Sequence, residues 1–406
     1  MNSTTYPPTA GVSPRHGRAP NPWPAVFSVA LSATAFCVAE FLPVGLLRFV
    51  SNTLNVSEGT AGLMVTAPAV LGVFAAPLVT VAVGTHDRRK VLLVLTALLV
   101  VTNLLSMAAP DFAVLIAARV LFGVGLGGFW AIGAGLGGRL VPEKSSARAT
   151  SIIFTGVSAG MLLGGAAGAL IGELFGWRTA FGVALVLSII AFFAQLAYLP
   201  HLHVQHRIRM RDLWAPLVSR NGRVGALAML FAVSGQFATY TYATPFLANV
   251  TGFDGKTISS ILLGYTAIGL LGTFLGGAAV NANPKAALVG VMISFIAPVL
   301  LLPTFGHVDL AVVILFAIWG AAYGAMPVAL QMWMARSTPG AGEAAMALLT
   351  GNYQVAIALG SLVGGLVVDH LGLNAAMYIG ATLAAIGMVF FAMFARALPS
   401  EPNSAG

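Results

Sequence analysis

The chain has 406 residues, of which 58% are hydrophobic and only 8% charged. An ordinary soluble domain carries about a quarter charged residues, so this chain cannot cover a water-facing surface and must use lipid as its solvent. The net charge of +8 then reads as membrane topology rather than a nucleic-acid surface, and a single cysteine, Cys37, excludes an internal disulfide framework.

Residues 1–22 are rich in Pro, Ser, Thr and Asn with little to bury, which predicts a disordered cytoplasmic tail. The run from Trp23 to Leu47 is too long for a signal peptide and lacks a small-residue cleavage site, so it is expected to remain as the first span. Twelve apolar runs are long enough to cross a bilayer: 24–47, 60–84, 91–109, 112–138, 150–172, 178–199, 224–250, 257–281, 286–304, 310–334, 343–367 and 373–395. Connections are short except for the basic segment 200–223, which separates six spans from six. The expected organisation is a six-helix half at 23–199, an interdomain loop at 200–223, a second six-helix half at 224–396 and a short tail at 397–406. The predicted fold class is therefore all-α integral membrane, with twelve transmembrane helices in two pseudo-repeats.

With both termini placed in the cytoplasm, 16 lysines and arginines fall inside and three (Arg48, Arg178 and Lys256) outside, with Arg119 in the membrane. That asymmetry is the positive-inside pattern. The acids Glu58, Asp111, Glu173, Asp254, Asp309 and Asp369 all fall on the outer side.

The stretch from Arg119 to Phe181 organises the rest. It carries Gly156, Gly160, Gly164, Gly168 and Gly172, a four-residue step that lines one helix face with bare backbone and lets a neighbouring helix pack closely. An altered copy follows 196 or 197 residues later: Gly123 and Gly127 match Gly320 and Gly324, and Gly164, Gly168, Glu173 and Gly176 match Gly360, Gly364, Asp369 and Gly372. With an even number of spans per half, the copies are parallel and related by an axis along the membrane normal, which places a substrate site near the midplane between them. Glu173 and Asp369 read as corresponding turn or cap residues.

Glu40 and Arg119 are the two charges deep in apolar sequence. Each costs roughly 2.5–3.5 kcal/mol to insert, so each is expected to face the protein interior. Both lie eight residues from a charged span end, Arg48 and Asp111, and hence at a similar depth of roughly 12 Å. A Glu40–Arg119 pair fits that geometry. Burial disfavours the carboxylate and a nearby guanidinium favours it, the opposition a proton-coupling acid needs. The alternatives are a pair that only pins two helices, or an Arg119 that binds backbone carbonyls. Asp87 is a distant second as a proton carrier.

The second half offers neutral groups near mid-span: Gln236, Tyr240, Tyr265, Trp319, Tyr323, Asn352, Tyr353 and Gln354. Span four adds Trp130. Aromatic faces can stack on a base while amides pair with its edge; the bland reading is space-filling rings and interhelical hydrogen bonds. His201, His203 and His206 have metal-like spacing but lie in a basic loop without a cysteine. No Walker loop, Gly-x-Ser-x-Gly motif or metalloprotease histidine pair is present, so neither hydrolysis nor a cofactor is implied.

The segments WPAVFSVA (23–30), EFLPVGLL (40–47), GGFWA (127–131), GELFGWR (172–178), GQFATYTY (235–242) and IWGAAYGAMPV (318–328) resemble the major facilitator superfamily. The resemblance covers all twelve spans. It is to the drug/proton antiporter branch, and within that branch to the bacterial purine ribonucleoside efflux pumps. Asp87 and Arg88 match the family's loop between spans two and three, whose charge cluster holds the halves together on the cytoplasmic side, although GTHDRRKV lacks that motif's second glycine. Arg119, Gly123 and Gly125 match the fourth-span motif; the fifth span has Gly165-Ala166 where the antiporter motif has Gly-Pro. The resemblance implies a monomeric, bacterial inner-membrane transporter. It would exchange purine ribonucleosides and base analogues for protons by alternating access, or export a chloramphenicol-like drug or a sugar on the same fold.

Overall fold

A computed structural model describes residues 22–84, 86–133, 136–202, 217–337 and 342–396. The expected tail 1–22 apart from Pro22, the tail 397–406 and most of the basic interdomain loop, with His203 and His206, lie outside the described residues. Among those described there is no strand.

Twelve helices are long and apolar enough to cross a membrane. In the first half these are α1 (Trp23–Leu54), α3 (Leu63–Val83) entered through the short α2 (Glu58–Ala61), α4 (Arg88–Ala108) and α5 (Phe112–Ile132). After the short α6 (Gly137–Leu140) come α7 (Ser146–Phe175) and α8 (Trp177–Tyr198). The second half has α9 (Arg220–Tyr240) with its continuation α10 (Ala243–Asn249), α11 (Gly255–Ala282) and α12 (Pro284–Phe305). It ends with α13 (Asp309–Ser337), α14 (Gly342–Leu371) and α15 (Leu373–Phe394). Large apolar side chains such as Phe74, Phe193 and Phe274 are exposed on the perimeter, where lipid would solvate them.

Two expected spans are corrected. The run 224–250 is broken at Thr241–Tyr242. Pro245 has no N–H to give the Thr241 carbonyl, which removes one bond of the ladder at the break, although α1, α12 and α13 run on through Pro43, Pro298 and Pro327. The run 112–138 stops at Ile132, where the sequence turns to Gly133, Gly135, Gly137 and Gly138, residues with weak helix propensity. α1, at 32 residues, outruns its apolar core because hydropathy marks the lipid-facing part of a helix and not its end.

The repeat is visible in the packing itself. Gly123 and Gly127 on α5 rest on the carbonyls of Pro68 and Gly72 on α3; Gly320 and Gly324 on α13 rest on those of Tyr265 and Gly269 on α11. Glycine and carbonyl positions are both offset by 197. Likewise Gly164 and Gly168 on α7 meet Val38 and Leu42 of α1, while Gly360 and Gly364 on α14 meet Ser234 and Ala238 of α9, all offset by 196. The α7 ladder continues with Gly156 on Ala30, Gly160 on Thr34 and Gly172 against Phe49 and Leu46. The tight turns from α7 to α8 and from α14 to α15 use Gly176 (φ 82°) and Gly372 (φ 86°), a left-handed backbone that glycine alone adopts without strain.

Each half is a six-helix bundle, and the halves meet chiefly where α14 lies along α2 and α3 and where α7 lies along α11. One end of the molecule carries the acidic connections (Glu58, Asp111, Glu173, Asp254, Asp309 and Asp369), the other the basic ones.

Candidate functional site

Glu40 sits mid-helix on α1 and is 9% exposed. Its carboxylate Oε1 faces the second half, 3.5 Å from Nε2 of Gln354 on α14, and the Trp130 indole of α5 lies within side-chain hydrogen-bonding reach. Gln354 packs beside Gly72 of α3, its Cδ 3.8 Å from where a Cβ would stand, an ordinary van der Waals distance.

The Glu40–Arg119 ion pair does not form: among the described residues, His201–Asp87 is the one acid–base contact within ion-pair distance. Arg119 is fully buried and spends its donors on backbone, Nε on the Met64 carbonyl (2.9 Å) and Nη1 on the Ala39 carbonyl (2.9 Å). Its guanidinium lies 4.4 Å from the centre of the Phe122 ring, a cation–π contact. In this state Arg119 hydrogen-bonds backbone carbonyls. It ties α5 to α3 and to the α1 residue preceding Glu40, holding the carboxylate's helix without contacting the carboxylate. Among the described residues, its Nη2 and the Oε1 of Gln354 are buried with no hydrogen-bond partner.

Tyr240, Tyr265, Trp319 and Tyr323 form one buried ring cluster in the second half. Tyr240 stacks on Tyr265 (5.3 Å between centroids) and Tyr323 (5.7 Å), and Trp319 meets Tyr265 edge-on (5.4 Å). Gln236 holds two of these rings: its Oε1 accepts from Trp319 Nε1 (2.7 Å) and its Nε2 donates to the Tyr265 hydroxyl (2.8 Å). Tyr353 joins through Phe237 (6.0 Å), and Phe41 on α1 brings the first half into the cluster at 6.3 Å from Phe237 and 6.5 Å from Tyr240. Phe41 and Phe237 fall inside the segments that carry the family resemblance, but a phenylalanine in a chain of 24 gives no sign of which ring it will meet. Asn352 stands apart, its Nδ2 donating to the Ala226 carbonyl (2.7 Å) and so tying α14 to α9.

Asp87 and Arg88 lie at the basic end, and their described contacts stay within the first half. Asp87 caps α4 through Arg89 N–H (3.0 Å), accepts from Leu202 N–H (2.9 Å) and bonds His201 Nδ1. Desolvation opposes its charge, but these hydrogen bonds outweigh it and hold its carboxyl at about 2. Arg88 donates to the Gly84 carbonyl (3.2 Å) and faces Arg139. In this state Asp87 fastens the start of α4 to the segment just after α8, and Arg88 ties it back to the end of α3. A separate groove of about 700 Å³ beside α8, lined by Met107, Arg178, Val183 and Ile190, contains none of the candidate residues.

Two six-helix bundles related by the repeat meet at a seam that holds the buried carboxylate of Glu40, an architecture shared by membrane transporters. The Major Facilitator Superfamily profile matches residues 25–341 and 225–406, and the chain belongs to that family. It is 32% identical over 361 residues to the purine ribonucleoside efflux pump NepI of Escherichia coli (strain K12), covering 89% of this chain and 91% of that protein. The same protein of Shigella sonnei (strain Ss046) matches at the same identity and coverage. Among solved structures, a bacterial homologue of the human lysosomal transporter Spinster, in an inward-facing and unoccupied conformation, superposes with a TM-score of 0.76 at 16% identity, covering 94% of this chain and 98% of that one. The human organic anion transporter MFSD10 gives 0.63 at 16% identity, covering 91% and 98%.

Proposed function

We propose that this protein is a secondary efflux transporter that exchanges protons for purine ribonucleosides and related base analogues by alternating access. It would act as a monomer in a bacterial inner membrane with both termini cytoplasmic. The observation that carries the proposal is the setting of Glu40. It is a buried carboxylate with no cation in contact, hydrogen-bonded across the interface to Gln354 and adjoining a cluster of stacked aromatic rings.

A carboxylate so placed can exist in two states. Ionised, it accepts from Gln354 and Trp130. Protonated, it no longer needs both donors, and the Gln354 amide is released for substrate. Gln354 has capacity to spare, since its Oε1 is unpartnered while Gln236 already uses its carbonyl and one donor on Trp319 and Tyr265. An amide can pair with a purine edge through one donor and one acceptor, and aromatic faces such as Tyr240 and Tyr323 suit the flat base. The purine ribonucleoside named for the NepI relatives at 32% identity has this chemistry. Positive residues concentrated at one end support the orientation.

The test is proton-driven flux of radiolabelled inosine in proteoliposomes, native protein against Glu40→Gln. The expected result is gradient-dependent flux in the native protein and loss of gradient dependence in the variant. Proton-driven flux that survives in Glu40→Gln would remove Glu40 from the coupling role. Native protein that moves chloramphenicol or a sugar but not inosine would overturn the substrate class.

A further inference from the structure

We infer that Asp369 and Glu173 are a symmetry-related pair of latches holding the two halves together at the acidic end. Each long helix α14 and α7 ends in a carboxylate that reaches across to the other half. The Asp369 Oδ1 accepts the Gly59 N–H (2.9 Å) and its Oδ2 accepts the Ser57 hydroxyl (2.7 Å), at the turn that opens α2. The Glu173 carboxylate lies against Gly255, the first residue of α11. Residue 369 is 196 positions after 173, and 255 is 196 positions after 59, so carboxylate and target both obey the repeat that sets the fold.

The glycines are part of the device. A Cβ at Gly59 would overlap the Gly365 carbonyl and come within 2.6 Å of Asp369 Oδ1, and one at Gly255 would come within 2.5 Å of Glu173 Cδ. Bare backbone lets each carboxylate approach a helix start, where N–H groups lack intrahelical acceptors and favour negative charge. Two neighbouring bonds cross between the halves at the same end, Asn249 Nδ2 to Glu58 Oε1 (2.8 Å) and the Thr244 hydroxyl to the Val44 carbonyl (2.8 Å). At the basic end, Asp87, Arg220, Asn221 and Lys285 instead bond within their own halves. The latches therefore hold this state closed at the acidic end and must release for the molecule to open there.

The two latches are unequal. Asp369 makes two hydrogen bonds, while Glu173 lies against its glycine. Removing the first should shift the equilibrium toward the acidic-end-open form by about fivefold, in line with an exposed charge-assisted hydrogen bond; removing the second should shift it less. The double change should multiply the two effects, since the sites share no residue.

The experiment is spin-label distance measurement on full-length protein in nanodiscs, with labels at Asn52→Cys and His307→Cys across the acidic end, in a Cys37→Ser background. Asp369→Ala and Glu173→Ala should each lengthen the distance population, the first more than the second. Gly255→Ala is the second route to the same release, should an acid variant fold poorly, and should also lengthen it. Unchanged distributions in all three variants, or a shift toward closure, would overturn the proposal. No nucleoside or proton gradient enters the measurement, so its outcome is independent of the substrate reading.

Discussion

At the scale of the residue, polar atoms in the interior divide into those with a settled job and those with capacity left. Gln236 is settled, and replacing it with leucine leaves the Trp319 indole N–H and the Tyr265 hydroxyl without their partner. That should cost about 1–3 kcal/mol for each orphaned group, read as a lower Tm in detergent even without substrate. Gln354 is not settled. Gln354→Leu should raise the KM for inosine about tenfold, the loss of one or two edge hydrogen bonds, and should also lower Tm because the buried Glu40 carboxylate loses its amide donor. An unchanged KM would place substrate recognition elsewhere. Asp87 is a different case, because its carboxyl is held at about 2, below the ordinary value near 3.9. Its stabilising bonds are complete above about pH 4 and lost only as pH falls toward 2. Asp87→Asn should therefore lower Tm at pH 5 and above, and the loss should shrink as pH falls toward 2. The depth of Glu40 and Arg119 was legible in the sequence. Their separation was not: Arg119 has carbonyls of Met64 and Ala39 in reach, and hydropathy says nothing of which acceptor wins.

At the scale of the element, glycine governs how closely helices meet. The ladder on α7 could be read from its four-residue step, because the partner need only supply a carbonyl at the same step, and α1 does so at Ala30, Thr34, Val38 and Leu42. The break between α9 and α10 was harder to read. Thr241 and Tyr242 are as apolar in context as their neighbours, and Pro245, which removes one bond of the ladder there, lies beyond the break. Glycines on different faces should respond in opposite senses. Gly324→Ala drives a methyl into the Gly269 carbonyl, separates α13 from α11, and should cost about 1–3 kcal/mol. Gly290→Ala meets nothing within 4 Å and should stabilise α12 by about 0.5–1 kcal/mol, the ordinary helix gain. Thermal unfolding of the two variants side by side checks both signs.

At the scale of the whole molecule, the repeat is what the sequence carried most clearly, because matched glycines must keep their spacing for both halves to pack alike. What could not be read was which end of the interface is shut. That depends on long-range pairs such as Ser57 with Asp369, separated by 312 positions, and neither residue's local surroundings reveal the other. Alternating access requires this contact to part in every cycle, whatever the cargo. Ser57→Cys with Asp369→Cys places two thiols where the 2.7 Å hydrogen bond now lies, in a chain whose one native cysteine, Cys37, is buried. Oxidation should join the halves and stop flux, and a reductant should restore it, while either single variant treated with oxidant should keep moving substrate. If the cross-linked protein transports at the native rate, the acidic end does not need to open, and the two halves must exchange substrate by a motion other than rocking about the central site.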